Sequence, residues 1–409
     1  MAIVVQKYGG SSVADVDKLR NVAHRAAAAK DKGDDVVVVV SAMGKTTDQL
    51  LQLAHQITKY PDERELDVLL STGELVSSTL LALTLKSMGY ASISLSGAQA
   101  GIQTDAVYSR ARILHIEAQR ILRELDDGKI VTVAGFQGVN PHMDVTTLGR
   151  GGSDTTAVAL AIGLGAKLCE IYTDVEGVFT TDPRVVPRAR KLKELGYEEM
   201  LEMAGYGAKV LHLRAVEMGE LYNMPILVAS SFSDCQGTLI HGGAAMEVRN
   251  KVRGIVHDLN VAKVTVLGVP DKPGIASAIF DSLAKENISV DTIVQNASVE
   301  RITDLTFTVA KNDLDKAMRV VEPVVKDIGA RGCAANARLG KVSIVGTGMQ
   351  NTPGFAARMF RALYDKGINI ELITTSEIRI TCIIDEEKVE DAVRVLHQVF
   401  ELDRGEDVL

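Results

Sequence analysis

The sequence contains no tryptophan, and aromatic residues make up only 4% of its 409 positions. Hydrophobic cores must therefore rest on valine, leucine, isoleucine and alanine, and the total hydrophobic content of 46% is enough to fill them. An excess of positive charge is also lacking, because 53 acidic residues outnumber 45 basic ones, the formal net charge is -8, and no basic run with interleaved aromatics occurs. This composition argues against a nucleic-acid-binding protein.

Membrane and export signals are also missing from the pattern. No apolar stretch approaches the roughly 18 residues of a transmembrane helix, and no basic region precedes the N-terminal apolar stretch, as a signal peptide would require. Cysteine is rare, and its positions form neither a zinc-binding CxxC pattern nor a dense disulfide framework: Cys169, Cys235, Cys333 and Cys382. We therefore expect a cytoplasmic protein without membrane contact, whose cysteines are reduced and buried.

Several kinds of catalytic site lack their signature. The eight histidines show no metal-ligand spacing, and no GxSxG or QACxG nucleophile motif occurs, so we predict no metal held by protein residues alone. Gly44-Lys45-Thr46 lacks the glycine that a P-loop needs five residues earlier, where Val39 stands. Gly149–Gly152 resembles the start of a dinucleotide fingerprint, but Asp154 occupies the position of its last glycine. Neither a P-loop kinase nor a Rossmann dehydrogenase is supported.

The chain is too long for one ordinary core, so two or three domains are expected. Residues 1–240 alternate strand and helix patterns, which predicts an α/β domain with a mostly parallel sheet. The predicted strands are Ile3–Lys7, Asp35–Ser41, Ala91–Leu95, Ile130–Ala134 and Leu168–Tyr172, and the predicted helices are Val16–Lys30, Glu65–Met88, Ser109–Leu125 and Thr155–Gly163. Ligands of such sheets bind beyond the carboxyl ends of the strands. That edge should gather Lys7, Ser41, Gly135 and Asp174.

The C-terminal part contains an internal repeat. Lys263-Val-Thr-Val-Leu-Gly begins one copy and Lys341-Val-Ser-Ile-Val-Gly begins the other. Four features recur at a spacing of 80 residues: Pro273-Gly274 with Pro353-Gly354, Phe280 with Phe360, Leu283 with Leu363, and Asp291 with Glu371. Amphipathic helices at Asp313–Val325 and Glu386–Phe400 end the two copies. Residues 263–336 and 337–409 each read as a βαββαβ unit, and residues 241–262 read as a linker.

The first apolar strand leads directly into Lys7-Tyr-Gly-Gly-Ser11-Ser12. Paired glycines allow the backbone to turn and to bring its N–H groups close to an anion. The serine hydroxyls add donors, and the lysine adds a full positive charge. The segment is therefore either a phosphate-binding cradle or an ordinary tight turn beside an exposed lysine.

A second glycine-rich run, Thr146–Ala157, places Arg150, Ser153 and Asp154 at the start of an apolar helix. A helix N-terminus presents free N–H groups and a partial positive charge to an anion, and an arginine can hold a carboxylate with two hydrogen bonds. The alternative is that Ser153 or Asp154 only caps the helix. Capping leaves the arginine among three glycines unexplained, and we favour a binding role.

Four further features have both a functional and an ordinary interpretation. Ser41–Thr47 follows the all-valine strand and could reach the ligand edge or form a simple turn. Glu74, in an apolar helical stretch, is either buried beside a ligand or exposed. The loop Tyr172–Arg184 could hold a nucleotide's ribose, base or metal, or be plain turn chemistry. Lys209 is either a phosphate contact or a solvated lysine. Together these residue types favour phosphoryl transfer, which depends on positioning and charge neutralisation.

The chain closely resembles aspartokinase along its whole length, in the monofunctional bacterial form with a C-terminal pair of ACT domains. The resemblance rests on Lys7-Tyr-Gly-Gly-Ser11, Gly-Arg-Gly-Gly-Ser-Asp154, Thr173-Asp-Val-Glu-Gly-Val178, Thr181-Asp-Pro-Arg184 and the repeated Pro-Gly units. Tyr8 and Ser11 stand where many relatives carry Phe and Thr. The resemblance implies a three-layer amino-acid-kinase sandwich with a mostly parallel sheet, followed by two ferredoxin-like ACT domains. The strand Gly254–Leu259 would then pair with the second ACT unit.

The implied activity is ATP-dependent phosphorylation of the β-carboxylate of L-aspartate, which gives 4-phospho-L-aspartate and ADP. This is the first step toward lysine, threonine, methionine and diaminopimelate. The resemblance makes Lys7 and Asp154 the catalytic pair and implies Mg²⁺ on the ATP oxygens. It assigns nucleotide binding to Lys7, Gly9, Gly10, Ser11, Ser41, Thr173, Asp174, Phe179, Asp182, Arg184 and Lys209. It assigns aspartate binding to Thr47, Glu74, Arg150, Gly151, Gly152 and Ser153.

The family also binds end-product amino acids between paired ACT units, so inhibition by lysine, threonine or both is expected. The matching effector positions are Asp271, Gly274, Ala276, Ser289, Val290, Asp291, Gln295, Asn369, Ile370 and Ser376. A dimerisation surface without a ligand is the alternative for the repeats. A homo-oligomer formed through ACT pairing is expected, and Met246 is suitably placed to start a separate regulatory chain.

Two rival functions stay open at this point. One is an amino-acid-kinase-like enzyme that acts on acetylglutamate, glutamate or UMP, although the ACT repeats and the Arg150–Asp154 run disfavour it. The other is a binding protein that has lost kinase activity and only senses amino acids. That role predicts loss of charge at Lys7, Arg150 or Asp154, yet all three charges are present.

Overall fold

The structure is a computed structural model that describes residues 2–208, 210–243, 252–296, 302–347, 349 and 352–404. Its chain forms two compact units. The N-terminal unit comprises Met1–Phe179 and Lys191–Glu247, and the C-terminal unit comprises Thr180–Arg190 and Val248–Leu409. A short segment from the middle of the chain thus packs with the C-terminal half. Lys209 and Met246 lie outside the described residues.

The N-terminal unit is built on a sheet in which one interior strand contains Val36–Val40, all fully buried. Such a valine run suits a strand that is covered on both faces. The strands of the unit are Ile3–Tyr8 (β1), Asp35–Val40 (β2), Ser92–Leu95 (β3), Ile102–Thr104 (β4), Ile113–Ile116 (β5), Ile130–Ala134 (β6), Gln137–Val139 (β7), Val145–Thr147 (β8), Leu168–Thr173 (β9), Glu194–Leu195 (β10), Ile226–Ser230 (β11) and Thr238–Ile240 (β12).

The main sheet has the order β10-β12-β11-β9-β1-β2-β6-β3. All neighbours in it are parallel except β11 and β12. The mostly parallel sheet predicted from the sequence is therefore confirmed, and so are its five predicted strands. A second, four-stranded sheet has the order β5-β4-β7-β8.

Helices cover both faces of the main sheet. They are Val16–Asp31 (α1), Thr46–Ile57 (α2), Glu63–Ser87 (α3), Gln119–Asp126 (α4), Gly152–Gly163 (α5), Tyr197–Gly205 (α6) and Leu213–Leu221 (α7). Leu19 of α1 and Leu81 of α3 share a core with Val38. On the opposite face, Val39 and Ser153 of α5 both lie 3.0 Å from the point where Gly135 would carry a Cβ. The unit thus has three layers.

The predicted helix Ser109–Leu125 is wrong over most of its length. Ser109 adopts a left-handed backbone with φ of +64°, and residues 113–116 form β5, which pairs antiparallel with β4. Only Gln119–Asp126 is helical. The partner strand is decisive here, because β propensity depends on cross-strand packing that a local pattern does not contain.

By length and composition, α3 is long and apolar enough to cross a bilayer, which the sequence analysis overlooked. Half of its most apolar stretch is buried inside the protein. Its buried face carries the carboxylates Asp67 and Glu74 as well as Leu81 and Leu85. We therefore interpret α3 as a core helix of the N-terminal unit.

The C-terminal unit contains one six-stranded sheet with helices packed against it. Its strands are Gly254–Pro270 (β13), Val290–Gln295 (β14), Ile302–Val309 (β15), Gly332–Val345 (β16), Leu372–Thr375 (β17) and Arg379–Asp385 (β18), and its helices are Ile275–Lys285 (α8), Leu314–Asp327 (α9), Phe355–Asp365 (α10) and Val389–Val399 (α11). The order is β14-β15-β13-β16-β18-β17. Single 3-10 turns at Lys311–Asp313 and Glu386–Lys388 precede α9 and α11.

The long strand β13 serves both halves of this sheet. Its first residues, Gly254–Asp258, pair antiparallel with Val345–Lys341 of β16, and its later residues pair with β15. This is the pairing with the second copy that the resemblance implied. Two large cores result, one beneath α8 and α9 and one beneath α10 and α11, and a smaller cluster comprises Val261, Leu339 and Ile383.

The repeat is also visible in two reciprocal ion pairs. Lys263, at the start of the first copy, lies 2.5 Å from Glu371 of the second copy. Lys341, the equivalent lysine of the second copy, pairs with Asp291 of the first. Each lysine therefore pairs with the acid of the other copy, as expected if a pseudo-two-fold axis relates them.

The segment Thr180–Arg190 is held within the C-terminal unit by polar and apolar contacts. Its Thr180 carbonyl accepts a hydrogen bond from the backbone N–H of Ile255 at 2.7 Å, and Thr180 Oγ1 lies 3.0 Å from His397 Nε2. Val185 and Val186 pack against the core beneath α10 and α11.

The cysteines are all free. Cys169 and Cys382 are buried and Cys333 is half-buried. Cys235 is exposed, so the expectation of four buried cysteines is wrong at that position.

Candidate functional site

The carboxyl ends of β9, β1, β2 and β6 lie side by side, and three backbone hydrogen bonds join the residues that follow β1, β2 and β6 to the end of the neighbouring strand. Gly9 N–H donates to the Tyr172 carbonyl at 3.3 Å, and Ser41 N–H donates to the Tyr8 carbonyl at 3.1 Å. Gly135 N–H donates to the Val40 carbonyl at 3.0 Å. The sheet edge predicted from the sequence therefore exists, and it brings the loop after each strand into register with its neighbours.

The glycine loop after β1 is compact because it has no side chain at a critical point. A Cβ on Gly10 would lie 2.8 Å from the Ala42 carbonyl oxygen, which is too close for any other residue. The chain then forms a 3-10 turn at Gly10–Val13. Ser12 Oγ hydrogen-bonds to Ser231 Oγ at 2.8 Å, whereas Ser11 is exposed. The Ser12 hydroxyl thus holds the loop and the Ser11 hydroxyl faces solvent.

Lys7 and Asp154 form an ion pair at this edge. Lys7 Nζ lies 2.6 Å from Asp154 Oδ1, and their side chains are only 11% and 12% exposed. The other oxygen, Oδ2, accepts the backbone N–H of His212 at 3.3 Å. Partial burial strengthens the attraction between the two charges. The ammonium is therefore fixed at the end of β1, between the glycine loop and the start of α5.

Glycine determines the backbone at the start of α5. Gly151 has φ of +71°, and a Cβ there would lie 2.1 Å from the His212 ring. No side chain caps the helix, so the suggestion that Ser153 or Asp154 acts only as a cap is wrong. The first N–H groups of a helix lack partners within it and favour negative charge. Arg150, one residue before Gly151, is exposed.

Glu74 is buried on α3, with 3% of its surface exposed. Its Oε1 accepts the Ala42 backbone N–H at 3.0 Å. Its Oε2 has no hydrogen-bond partner in the part of the chain that the structure describes. Burial raises the pKa of Glu74 to about 7. A buried carboxylate with one unsatisfied oxygen suits a cationic ligand, so the solvent-facing alternative is wrong. Thr47 follows Ala42 by five residues and is half-buried in the first turn of α2.

The residues expected on the nucleotide side divide between the two units. Ser41 is half-buried, Thr173 ends β9, Asp174 is exposed, and Phe179 bridges to Lys191 within the N-terminal unit. Asp182 and Arg184 belong to the C-terminal unit and pair with each other at 2.7 Å. This arginine lowers the pKa of Asp182. Lys7, Asp154, Glu74, Arg150 and the glycine loops thus belong to the N-terminal unit, whereas Asp182 and Arg184 belong to the C-terminal unit.

The expected effector positions lie at the helix starts and edge strands of the C-terminal sheet. Gly274 and Gly354 begin α8 and α10 with φ of +94° and +111°, and a Cβ on either would meet no atom within 4 Å. The first copy contributes Asp271, Gly274, Ala276, Ser289, Asp291 and Gln295 as exposed residues and Val290 as a half-buried one. The second contributes Asn369 and Ser376, which are exposed, and Ile370, which is half-buried. Asp291 pairs with Lys341.

Two residues at the site escaped the sequence analysis. His212 was not among the predicted residues, yet its N–H contacts Asp154 and its ring fills the space beside Gly151. Asp67 is fully buried on α3, seven residues before Glu74. An acidic residue inside an apolar helical stretch was the available signal for Asp67. No local pattern indicated His212, because its contacts are long-range.

Comparison with known proteins identifies one family over the N-terminal part of the chain and another over its C-terminal part. Residues 2–230 match the amino acid kinase family, and residues 264–323 and 342–400 match the ACT domain. The chain is 49% identical over 402 residues to the aspartokinase of Bacillus sp. (strain MGA3), with 98% of each chain covered. It is 48% identical over 404 residues to the aspartate kinase of Stutzerimonas stutzeri (strain A1501), again with 98% of each covered.

Two solved structures are similar over nearly the full length. Escherichia coli aspartokinase III in complex with aspartate and ADP (R-state) superposes with a TM-score of 0.83 at 26% identity, covering 98% of this chain and 100% of that one. Aspartokinase III of the same species in complex with lysine and aspartate (T-state) gives 0.76 at 26% identity, covering 97% and 99%.

Proposed function

The chain belongs to the amino acid kinase family, as an aspartokinase with C-terminal ACT domains, and on that premise we propose that it transfers the γ-phosphoryl group of ATP to the β-carboxylate of L-aspartate. The products are 4-phospho-L-aspartate and ADP. The observation that carries this proposal is the Lys7–Asp154 ion pair, set between a glycine loop and the start of α5. The reaction is the entry step to lysine, threonine, methionine and diaminopimelate, and we place it in the cytoplasm.

Lys7 supplies the positive charge in this proposal. Phosphoryl transfer spreads negative charge over the oxygens of the transferring group, and catalysis rests on positioning and charge stabilisation. Asp154 holds the Lys7 ammonium in place through the 2.6 Å contact. The backbone N–H of Gly10, the Ser11 hydroxyl and the N–H group of Ser153 add donors for phosphate or carboxylate oxygens. The N–H groups of Gly9 and Gly152 already donate to the Tyr172 and Gly149 carbonyls, so these glycines contribute by leaving space beside the backbone.

The acceptor substrate is held at both of its charged ends. The unsatisfied Glu74 oxygen accepts a hydrogen bond from the α-ammonium of aspartate. The guanidinium of Arg150 binds a carboxylate with two hydrogen bonds. Thr47 completes this side. With the ammonium and one carboxylate fixed, the remaining carboxylate is left free to attack the γ-phosphorus. This arrangement converts a bimolecular encounter into an oriented reaction.

Magnesium enters with the nucleotide in this account. The described residues include no group of three or more His, Cys, Asp or Glu side chains that could hold a metal ion. Mg²⁺ commonly takes phosphate oxygens and water with one or two carboxylates. On the nucleotide side we propose contacts from Ser41, Thr173, Asp174 and Phe179. The family resemblance alone supports three further contacts, which we also propose: Asp182, Arg184 and Lys209.

We propose that the C-terminal unit binds lysine, threonine or both and thereby inhibits the kinase. The helix starts at Gly274 and Gly354 expose N–H groups that suit an amino acid carboxylate. An E. coli relative is described in complex with lysine in a T-state. Pairing of ACT units would also give a homo-oligomer, and a separate regulatory chain starting at Met246 belongs to the same proposal.

The test is an ADP-release assay with the full-length protein, Mg·ATP and L-aspartate, each omitted in turn. We expect ADP release that depends on aspartate. Aspartate-independent release, or none, contradicts the proposed activity. The same assay with lysine, threonine and both together tests regulation, and an unchanged rate under all three conditions contradicts it.

A further inference from the structure

Asp67 is a buried carboxylate to which the proposed reaction gives no role. It lies on α3 with none of its surface exposed. Its oxygens accept the backbone N–H of Ser109 at 2.9 Å, the backbone N–H of Thr147 at 2.8 Å and the Thr147 hydroxyl at 2.6 Å. No described cation forms an ion pair with it, so these neutral donors stabilise the charge. Burial of a carboxylate is costly unless such donors surround it.

The two segments that Asp67 holds lead to the acceptor side of the site. Thr147 ends β8, three residues before Arg150. Ser109 has a left-handed backbone, and its carbonyl lies 3.0 Å from the position where Gly149 would carry a Cβ. The segments also pair with each other, because Ala111 N–H donates to the Thr147 carbonyl at 2.8 Å. Asp67 thus anchors the base of the loop that presents Arg150.

Arg214 holds the same two segments through their carbonyl groups. Its guanidinium donates to the Leu148 carbonyl at 2.7 Å and to the Ala111 carbonyl at 3.0 Å. Asp67 therefore accepts hydrogen bonds from N–H groups of the two segments, whereas Arg214 donates hydrogen bonds to their C=O groups. Two charged side chains, one from α3 and one from α7, thus satisfy four backbone groups of the two segments.

We propose that Asp67 is a positioning residue for the acceptor substrate. It sits about two helical turns before Glu74 on the same helix, and it ties that helix to the Arg150 loop. The distance between the ammonium-binding carboxylate and the carboxylate-binding guanidinium is therefore set by the Asp67 contacts. This distance decides how well a short dicarboxylic amino acid fits. The inference rests on the proposed function, which assigns Glu74 and Arg150 to aspartate.

The test is the Asp67→Asn variant of the full-length protein. An amide has one acceptor oxygen in place of two and turns an N–H₂ group toward the donors of Thr147 or Ser109. We expect the KM for aspartate to rise by about tenfold or more, since hydrogen bonds to a charged group are lost. The KM for ATP should change by less than about twofold, because the glycine loop after β1 is untouched.

Two further variants separate positioning from loss of stability. Thr147→Val removes only the hydroxyl that donates to Asp67 and should raise the aspartate KM by a few fold in the same direction. Glu124→Gln is the matched control: Glu124 is a buried carboxylate on α4, 6% exposed and paired with Lys129. It should lower thermal stability and leave both KM values unchanged.

The outcomes are distinguishable. If wild-type protein shows no aspartate-dependent ADP release, the proposed function fails before the variants are compared. If wild type is active and Asp67→Asn raises both KM values by the same factor, or neither, the positioning role is contradicted. Should Asp67→Asn not fold, an unchanged aspartate KM in Thr147→Val contradicts it instead.

Discussion

The ammonium of Lys7 lies 2.6 Å from Oδ1 of Asp154, although the two residues are on β1 and on α5 and 147 positions separate them in the sequence. The pair stands where the parallel strands end, and it is mostly shielded from solvent. Partly buried charges interact more strongly than exposed ones. Lys7 is therefore held at one point before any substrate arrives, which is what electrostatic stabilisation of a transferring phosphoryl group requires.

Replacing Lys7 with methionine should abolish most turnover and spare aspartate binding. We expect kcat to fall about 10²- to 10³-fold, the range seen when one preorganised charge-stabilising group is removed. The dissociation constant of aspartate, measured by calorimetry, should change by less than about twofold.

Lys30→Met is the matched control for this substitution. Lys30 forms a comparably shielded ion pair with Asp35 at 2.9 Å, at the amino end of β2. A similar loss of kcat in Lys30→Met would show that any buried ion pair of the unit matters equally, which contradicts a specific role for Lys7.

Glu74 should make aspartate binding depend on pH near neutrality. Burial raises the pKa of Glu74 to about 7, and only the ionised form attracts the substrate ammonium. The KM for aspartate should therefore fall as pH rises from 6 to 8, and the KM for ATP should not follow it. Glu74→Gln should raise the aspartate KM and flatten this pH dependence. A pH profile identical in variant and wild type would refute the assignment.

Glu74 should also lower the stability of the free protein at alkaline pH. Its pKa lies above the ordinary value of 4.5 in the folded state, so between these values the folded state binds more protons than the unfolded state. The free energy of unfolding then decreases as pH rises through that interval, by at most about 3 kcal/mol. Urea denaturation should find Glu74→Gln more stable than wild type at pH 8, with little difference at pH 4.5. If variant and wild type are equally stable at both pH values, ionisation of Glu74 does not destabilise the folded protein and the prediction is wrong.

Gly151→Ala should damage both stability and aspartate use. The residue has φ of +71°, and an added Cβ would lie 2.1 Å from the His212 ring, whose backbone N–H contacts Asp154. We expect a loss of about 1–3 kcal/mol and a raised KM for aspartate. Gly165→Ala is the control, because its φ is +61° but no atom lies within 4 Å of the added Cβ. Gly165→Ala should lower the free energy of unfolding by about 1 kcal/mol and leave the KM for aspartate unchanged. An equal rise of this KM in both variants would show that the clash with His212 is irrelevant.

The reciprocal ion pairs of the C-terminal unit allow a test of the effector assignment. Asp291 is an expected effector contact, whereas Glu371, its counterpart in the other copy, is not. Asp291→Asn should raise the half-inhibitory concentration of lysine or threonine by about tenfold, relative to the variant's own uninhibited rate. Glu371→Gln should have a smaller effect. Equal shifts in both variants would indicate that the ion pairs act only in holding the repeats together.

Much of the fold could be predicted from local pattern. The valine run of β2 and the 80-residue repeat are regular signals, and the structure confirms the parallel strands and the two halves of the C-terminal sheet. The strand Ile113–Ile116 was missed because its antiparallel partner β4 decides its conformation. The packing of Thr180–Arg190 with the C-terminal unit was also missed, since that choice depends on Ile255 and His397, which are distant in sequence.

Some residues of the candidate site could also be predicted from the sequence, and others could not. Glycines, Lys7, Arg150 and Asp154 could be selected from the sequence because residue type and position after a strand or before a helix indicate anion binding. Asp67 could have been noticed as an acidic residue in an apolar helical stretch, but its role could not be inferred from the sequence. His212 and Arg214 gave no such signal, because each acts through backbone groups far along the chain. Such contacts exist only once the sheet and helices have assembled.

The central claim is transfer of a phosphoryl group to the side-chain carboxylate of aspartate, and trapping the product tests it most directly. The full-length protein is incubated with Mg·ATP, L-aspartate and hydroxylamine, which converts an acyl phosphate to a hydroxamate. Mass spectrometry should find aspartate β-hydroxamate in amounts equal to the ADP released, with little formed by Lys7→Met. ADP release without any hydroxamate, or hydroxamate on the α-carboxylate, would contradict the account.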